Sequence, residues 1–113
     1  MKQHRGLVAF AALSGALAVA AGAFAAHGAS GSPARWLHTG AEYQLLHAVG
    51  ALAALNLQGG KLAAILFLFG GLVFAGTLYA MALGAPLWLG AVTPIGGMGF
   101  ILGWILLALA ALR

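Results

Sequence analysis

Cysteine is absent from this chain, and acidic residues nearly so: Glu42 is the single one among 113 residues. Without cysteine there is no disulfide framework, no thiolate metal site and no thiol nucleophile, and the sequence carries no mark of its redox compartment. Any metal would have to be held by His, Glu or carbonyl oxygen. Charge of either sign is scarce, at 5% of residues, against 64% hydrophobic. In such a chain every polar side chain must either sit at a water boundary or find a partner inside the fold.

What remains is hydrocarbon in long runs. A mean hydropathy of +1.06, with stretches of about 20 apolar residues, takes the chain out of the soluble class and predicts an integral membrane protein. Residues 1–113 then form a single membrane domain. The formal charge of +4 does not indicate nucleic acid, because the basic residues are scattered at segment ends, with no basic stripe and no interleaved aromatics. They read as topology signals, and the lipid bilayer is the partner that the composition implies.

Lys2, His4 and Arg5 precede an uncharged run from Gly6 to Ala26 that ends at His27. A basic start before an apolar run resembles a secretory signal, and Ala23-Phe24-Ala25 offers small residues for cleavage. The run is about 21 residues, however, enough to span a hydrocarbon core of roughly 30 Å, so a retained transmembrane helix over about 6–27 is expected. Ala11, Gly15, Ala18 and Gly22 fall at i, i+4, i+7 and i+11, a stripe of small residues along which another helix can approach closely. The segment GASGSPARWLHT, from Gly28 to Thr39, has the composition of a surface loop, with Trp36 suited to headgroup level.

A second helix is expected over about 40–57, the shortest and most polar span. Gln58-Gly59-Gly60-Lys61 reads as a tight turn, and about 62–83 as a third span. Thr93-Pro94 makes a good start for a fourth helix over about 94–112, Thr93 as cap and Pro94 at the first helical position. Gly99 and Gly103 form a GxxxG pair, which favours close helix contact. No internal repeat relates the two helix pairs, so an inverted-repeat transporter architecture is unsupported. The expected fold is an all-α membrane protein, a bundle of four transmembrane helices. Four spans place Lys2, Arg5, Lys61 and Arg113 on one side and Arg35 alone on the other, which puts both termini in the cytoplasm.

Polar residues concentrate in HTGAEYQLLH, from His38 to His47. Tyr43 and His47 lie four apart, on a face shared with Gly50 and Ala54, and His38 and Glu42 lie four apart on another side. With helix two starting near Gly40, Glu42 falls in its first turn, favoured there by the helix dipole and able to pair with Arg35 or His38. His27, Tyr43, Gln44, His47, Thr77 and Tyr79 then gather in the outer half of the bundle, with Thr93 opening helix four nearby. Hydrogen bonding among these groups across the bundle is the expected use of the cluster. A ligand site is the alternative. His27 and His47 are the candidate metal ligands, two nitrogens without a tight motif such as HExxH; haem between them is disfavoured by the surface position of His27.

Several ordered motifs resemble a known group: GAFAAHG at Gly22 to Gly28, YQLLHA at Tyr43 to Ala48, FAGTLY at Phe74 to Tyr79, LGAVTPIGG at Leu89 to Gly97, and Gly103-Trp104. On these the chain resembles domain-of-unknown-function family 423, small bacterial inner-membrane proteins, over nearly its whole length. The resemblance implies a four-helix membrane protein with both termini inside, and brings no established activity. The chain departs from the family pattern in having Ala25 where GAFGAH has its second glycine, and in a shorter first loop.

The function expected is therefore that of a small, non-catalytic structural or accessory protein of the inner membrane, without a cofactor, whose protein contacts would be a membrane partner or a second copy. A transporter or channel is the first alternative. Against it, the inner half offers only Ser14, Asn56 and Gln58 to a permeating species. A metal- or haem-dependent protein is the second, and lacks a recognisable ligand set or nucleophile–base pair.

Overall fold

A computed structural model describes residues 4–113; the expected topology signal at Lys2 lies outside them. The elements are α1 (Arg5–His27), α2 (Gly31–Leu55), α3 (Lys61–Ala82), a 3-10 turn (Leu87–Ala91) and α4 (Thr93–Ala111). Each α-helix packs mainly on its neighbours in sequence, α1 on α2, α2 on α3 and α3 on α4. α1, α3 and the stretch Leu87–Ala111 are long and apolar enough to cross a bilayer. α2 is the longest helix, at 25 residues, and carries Arg35, His38, Glu42 and Gln44.

The start of α2 corrects the sequence expectation. Only Gly28 to Ser30 separate the first two helices, so most of the expected loop is helical, and α2 ends at Leu55 rather than near residue 57. Gly31 makes the tight reversal possible with φ +63, a left-handed conformation that glycine adopts without a Cβ penalty. Pro33 falls in the first turn, where its missing N–H costs no helical hydrogen bond. Arg35 Nη2 donates to Ser32 Oγ at 2.7 Å, and Leu37 is buried with Ala21 and Ala41. The Gly-Ser-Pro composition thus marks a short reversal and a helix start.

Small residues set the helix spacing. Ala11 and Ala18 of α1 are buried, and a Cβ added at Gly22 would stand 3.6 Å from the Ala41 Cβ, so the α1 stripe faces α2. Between α3 and α4 the approach is closer. A Cβ at Gly96 would lie 2.5 Å from both Gly70 O and Phe74 N, and one at Gly103 would lie 2.6 Å from the Phe67 ring and 3.3 Å from Ala63 O. Gly99 stands against the Gly70 Cα. The GxxxG pair is therefore taken up within the chain. Towards one end of the bundle, Ala11, Ala51, Ala54, Ala63, Ala64, Phe67 and Leu68 form the main apolar core.

Candidate functional site

The early start of α2 moves its polar residues. Glu42 lies about three turns into the helix, roughly 16 Å along its axis, and not in the first turn. Its partner is His38, whose Nε2 is 3.3 Å from Glu42 Oε2, with side chains 72% and 59% exposed; Arg35 is occupied with Ser32. Gln44 and His47 lie near the middle of the bundle rather than at its outer entrance. They are buried, at 3% and 5% exposure, whereas Tyr43 is 43% exposed and sits at an edge instead of facing the interior.

His47 is held from both ring nitrogens. Nδ1 is 2.7 Å from Tyr43 O, and Trp104 Nε1 donates to Nε2 at 3.0 Å. A carbonyl can only accept and an indole N–H can only donate, so the geometry selects the neutral tautomer with its hydrogen on Nδ1. The ring stacks on Phe100, with centroids 3.6 Å apart and 9° between planes, and meets Phe67 edge-on at 5.2 Å. This aromatic box is built from three helices. Trp104, Phe100 and Phe67 are the site residues that sequence reasoning missed; the available signal was an indole N–H in an apolar helix, which requires an acceptor.

His27 takes no part in it. It is exposed at the end of α1, so the expected pairing of His27 with His47 does not occur. Among the described residues no group of three or more His, Cys, Asp or Glu side chains is placed to hold a metal ion. Ligation by His47 Nε2 would also require the Trp104 hydrogen bond to be given up.

Two further pairs tie the helices. Tyr79 of α3 donates to Gln44 Oε1 of α2 at 2.7 Å. Thr77 Oγ1 of α3 and Thr93 Oγ1 of α4 lie 2.6 Å apart, so that one hydroxyl donates to the other; the accepting hydroxyl keeps its own proton for a carbonyl one turn back, Val73 O for Thr77 or Leu89 O for Thr93. Thr93 is the first residue of α4 and its side chain makes no cap bond; it turns to α3 instead. The expected single cluster is thus three separate pairs, and His27 and Glu42 belong to none of them. Lateral grooves flank the pairs. One of about 630 Å³ runs between α2 and α4, with Phe74, His47 and Phe100 at its base and Tyr43 at its rim. Another of about 460 Å³ lies against α1, with Ser14 and Gln44 as its polar lining.

Comparison with known proteins places the chain. Residues 21–97 match the family model described as "Protein of unknown function (DUF423)". The chain is 44% identical to a UPF0382 membrane protein of Haemophilus influenzae over 111 residues, covering 90% of each chain. It is 38% identical to the UPF0382 membrane protein YwdK of Bacillus subtilis, over 90% of this chain and 92% of that one. Against the UPF0382 inner membrane protein YgdD of Escherichia coli it is 35% identical, over 96% and 91%. No solved structure matches it. The family match and the near full-length relatives, together with three helices apolar enough to span a bilayer, show that the chain is a bacterial membrane protein belonging to the DUF423 family.

Proposed function

We propose that this protein is a non-catalytic structural or accessory component of the inner membrane, one domain crossing the bilayer four times with both termini in the cytoplasm, and that its buried polar residues serve as clasps between helices. The observation that carries this reading is the occupancy of His47. Both nitrogens are engaged in hydrogen bonds within the bundle, with Phe100 stacked on the ring and Phe67 packed against it edge-on. An imidazole so held has no free lone pair for a metal and no proton path to a substrate. Tyr79 with Gln44 and Thr77 with Thr93 likewise spend their polar atoms across helix seams, as polar side chains in lipid-embedded bundles do.

Charge supports the orientation. Arg5 opens α1, Lys61 opens α3 and Arg113 follows α4, all at one end of the bundle, where the residue 56–60 turn meets the C-terminal residues. Arg35 is at the opposite end, which makes the first end cytoplasmic by the positive-inside rule. α2 is more polar than the others, and its two buried polar side chains, Gln44 and His47, face inward near the middle of the bundle. The expected result for His47→Ala is a less stable protein in detergent with unchanged metal content. Stoichiometric metal in the purified protein that disappears with this substitution would sink the reading. Liposome flux abolished by joint replacement of Glu42, Tyr43 and His47 would turn it into a transporter.

A further inference from the structure

The exposed face of α2 does not match the faces around it. Gly22 of α1 faces Ala41, and Gly40 stands against Ala75 and the Tyr79 ring, so residues 38–42 of α2 lie level with these positions on α1 and α3. Tyr43 and Phe74 have ring centroids 5.1 Å apart, and Gly96 abuts Phe74, which brings the start of α4 to nearly the same level. Here the surface presented by the other helices is hydrocarbon: Val19 and Phe24 on α1, and Ile95 and Met98 on α4, all exposed. On α2 the surface carries the exposed His38–Glu42 pair. Following the helix inward, the same stripe continues through Leu46 and Val49, at steps of four and three residues, both more than half exposed.

We infer that this stripe, Arg35, His38, Glu42, Leu46 and Val49, is the contact between two copies of the chain, packed side by side in the membrane. The inference rests on α2 crossing the bilayer, as proposed above. A carboxylate facing lipid several ångströms inside the hydrocarbon is costly and is normally turned to a protein or water-lined surface. The small-residue faces that commonly bring membrane helices together are already used, since the α1 stripe faces α2 and Gly99 and Gly103 face α3. The α2 stripe is the polar face left over.

Its chemistry fits a second copy. Copies inserted in one orientation are related by a twofold axis along the bilayer normal, which makes the contact isologous and demands a self-complementary surface. Glu42 is the only acid in the chain, and it shares its face with His38 and Arg35, one and two turns outward. Across a twofold axis Glu42 of each copy lies one to two helical turns from His38 and Arg35 of the other, a span that the long Arg35 side chain can cover. Leu46 and Val49 then pack across the axis beneath them.

The absence of cysteine makes the test direct. Single variants Leu46→Cys and Val49→Cys of the full chain would be oxidised in native membranes beside Leu13→Cys on α1 and Ile105→Cys on α4, both exposed elsewhere. Each would also be probed with a membrane-impermeant maleimide. Disulfide dimers at 46 and 49, several-fold above those at 13 and 105, with all four sites shielded from the maleimide, are the expected result. Glu42→Leu in the Val49→Cys chain should then lower the dimer fraction by about threefold to tenfold, the range of one interhelical polar contact. Shielded sites without preferential cross-linking, or a dimer indifferent to Glu42→Leu, would overturn the α2 contact and leave the four-span reading standing. Labelling of positions 46 and 49 from water would overturn both.

Discussion

The α3–α4 seam and the α1–α2 seam are both lined with small residues, but their geometry differs. At Gly96 the two backbones touch, with no room for a methyl group, and the seam is pinned by Thr77 with Thr93. Nearby, the His47–Trp104 bond joins α2 directly to α4, with Phe67 of α3 packed against both rings. Along α1, the positions at Gly15 and Gly22 leave an added Cβ at ordinary contact distance, 3.9 and 3.6 Å from its neighbours. Among the described residues no side-chain hydrogen bond crosses from α1 to α2. A glycine in a helix seam is thus obligatory only where a backbone stands opposite it, and polar clasps occur where the backbones are closest.

The strongest way to break that contrast is Gly96→Ala. Its methyl would meet Gly70 O and Phe74 N, backbone atoms that cannot rotate away. The seam must part along its length, at a cost of about 3 kcal/mol in unfolding free energy. Thermal or SDS-induced unfolding of the purified protein measures this, and a wild-type midpoint would refute the close approach.

His47→Ala comes next. It leaves Trp104 Nε1 without an acceptor and opens a hole between Phe67 and Phe100, for a loss of about 2 kcal/mol. Trp104 fluorescence adds a local readout, because the indole would lose its bond and its ring contact together. His47→Gln, which can still accept from the indole, should recover part of the loss. Equal destabilisation by both variants would mean that packing and not the hydrogen bond holds the clasp.

Thr77→Val removes a hydroxyl while keeping the shape. Thr93 retains Leu89 O at 3.3 Å as a second partner, so only the cross-helix share is lost, about 0.6 kcal/mol by the measure of polar pairs in other membrane bundles. A loss equal to that of His47→Ala would place the main clasp of α4 at its outer end.

The same features explain what could be read from the sequence. Four helices in an all-helical chain were legible because α1, α3 and α4 are almost wholly apolar, a property of composition. The start of α2 was not, because Gly31, Ser32 and Pro33 look like a loop until Leu37 is seen buried against Ala21 and Ala41. A loop there places Glu42 in a first turn and the polar cluster at the outer entrance, whereas the helix that starts at Gly31 places both further along the bundle. The four-residue spacing of His38 and Glu42 was readable as a local pairing. The partner of His47 was not: Trp104 lies 57 residues away, and spacing within one helix says nothing about which face a third helix will present. Depth in the bilayer suggests His27 as a partner for His47, but depth does not fix the side of the helix, and His27 is exposed.

The α1–α2 seam gives the smallest effect and the most informative sign. Gly22 sits inside α1, more than a turn from its end, where glycine is less favourable than alanine because it surrenders more backbone freedom on folding. The methyl of Gly22→Ala would lie 3.6 Å from the Ala41 methyl, a normal van der Waals separation. Nothing needs to move, and a little packing is gained. The substitution should therefore stabilise the protein by a few tenths of a kcal/mol, in the direction opposite to Gly96→Ala. Unfolding the two variants side by side compares the seams without reference to any absolute stability. A destabilised Gly22→Ala would mean that α1 lies as close to α2 as α4 does to α3, and that the glycines of the first seam are backbone contacts as well.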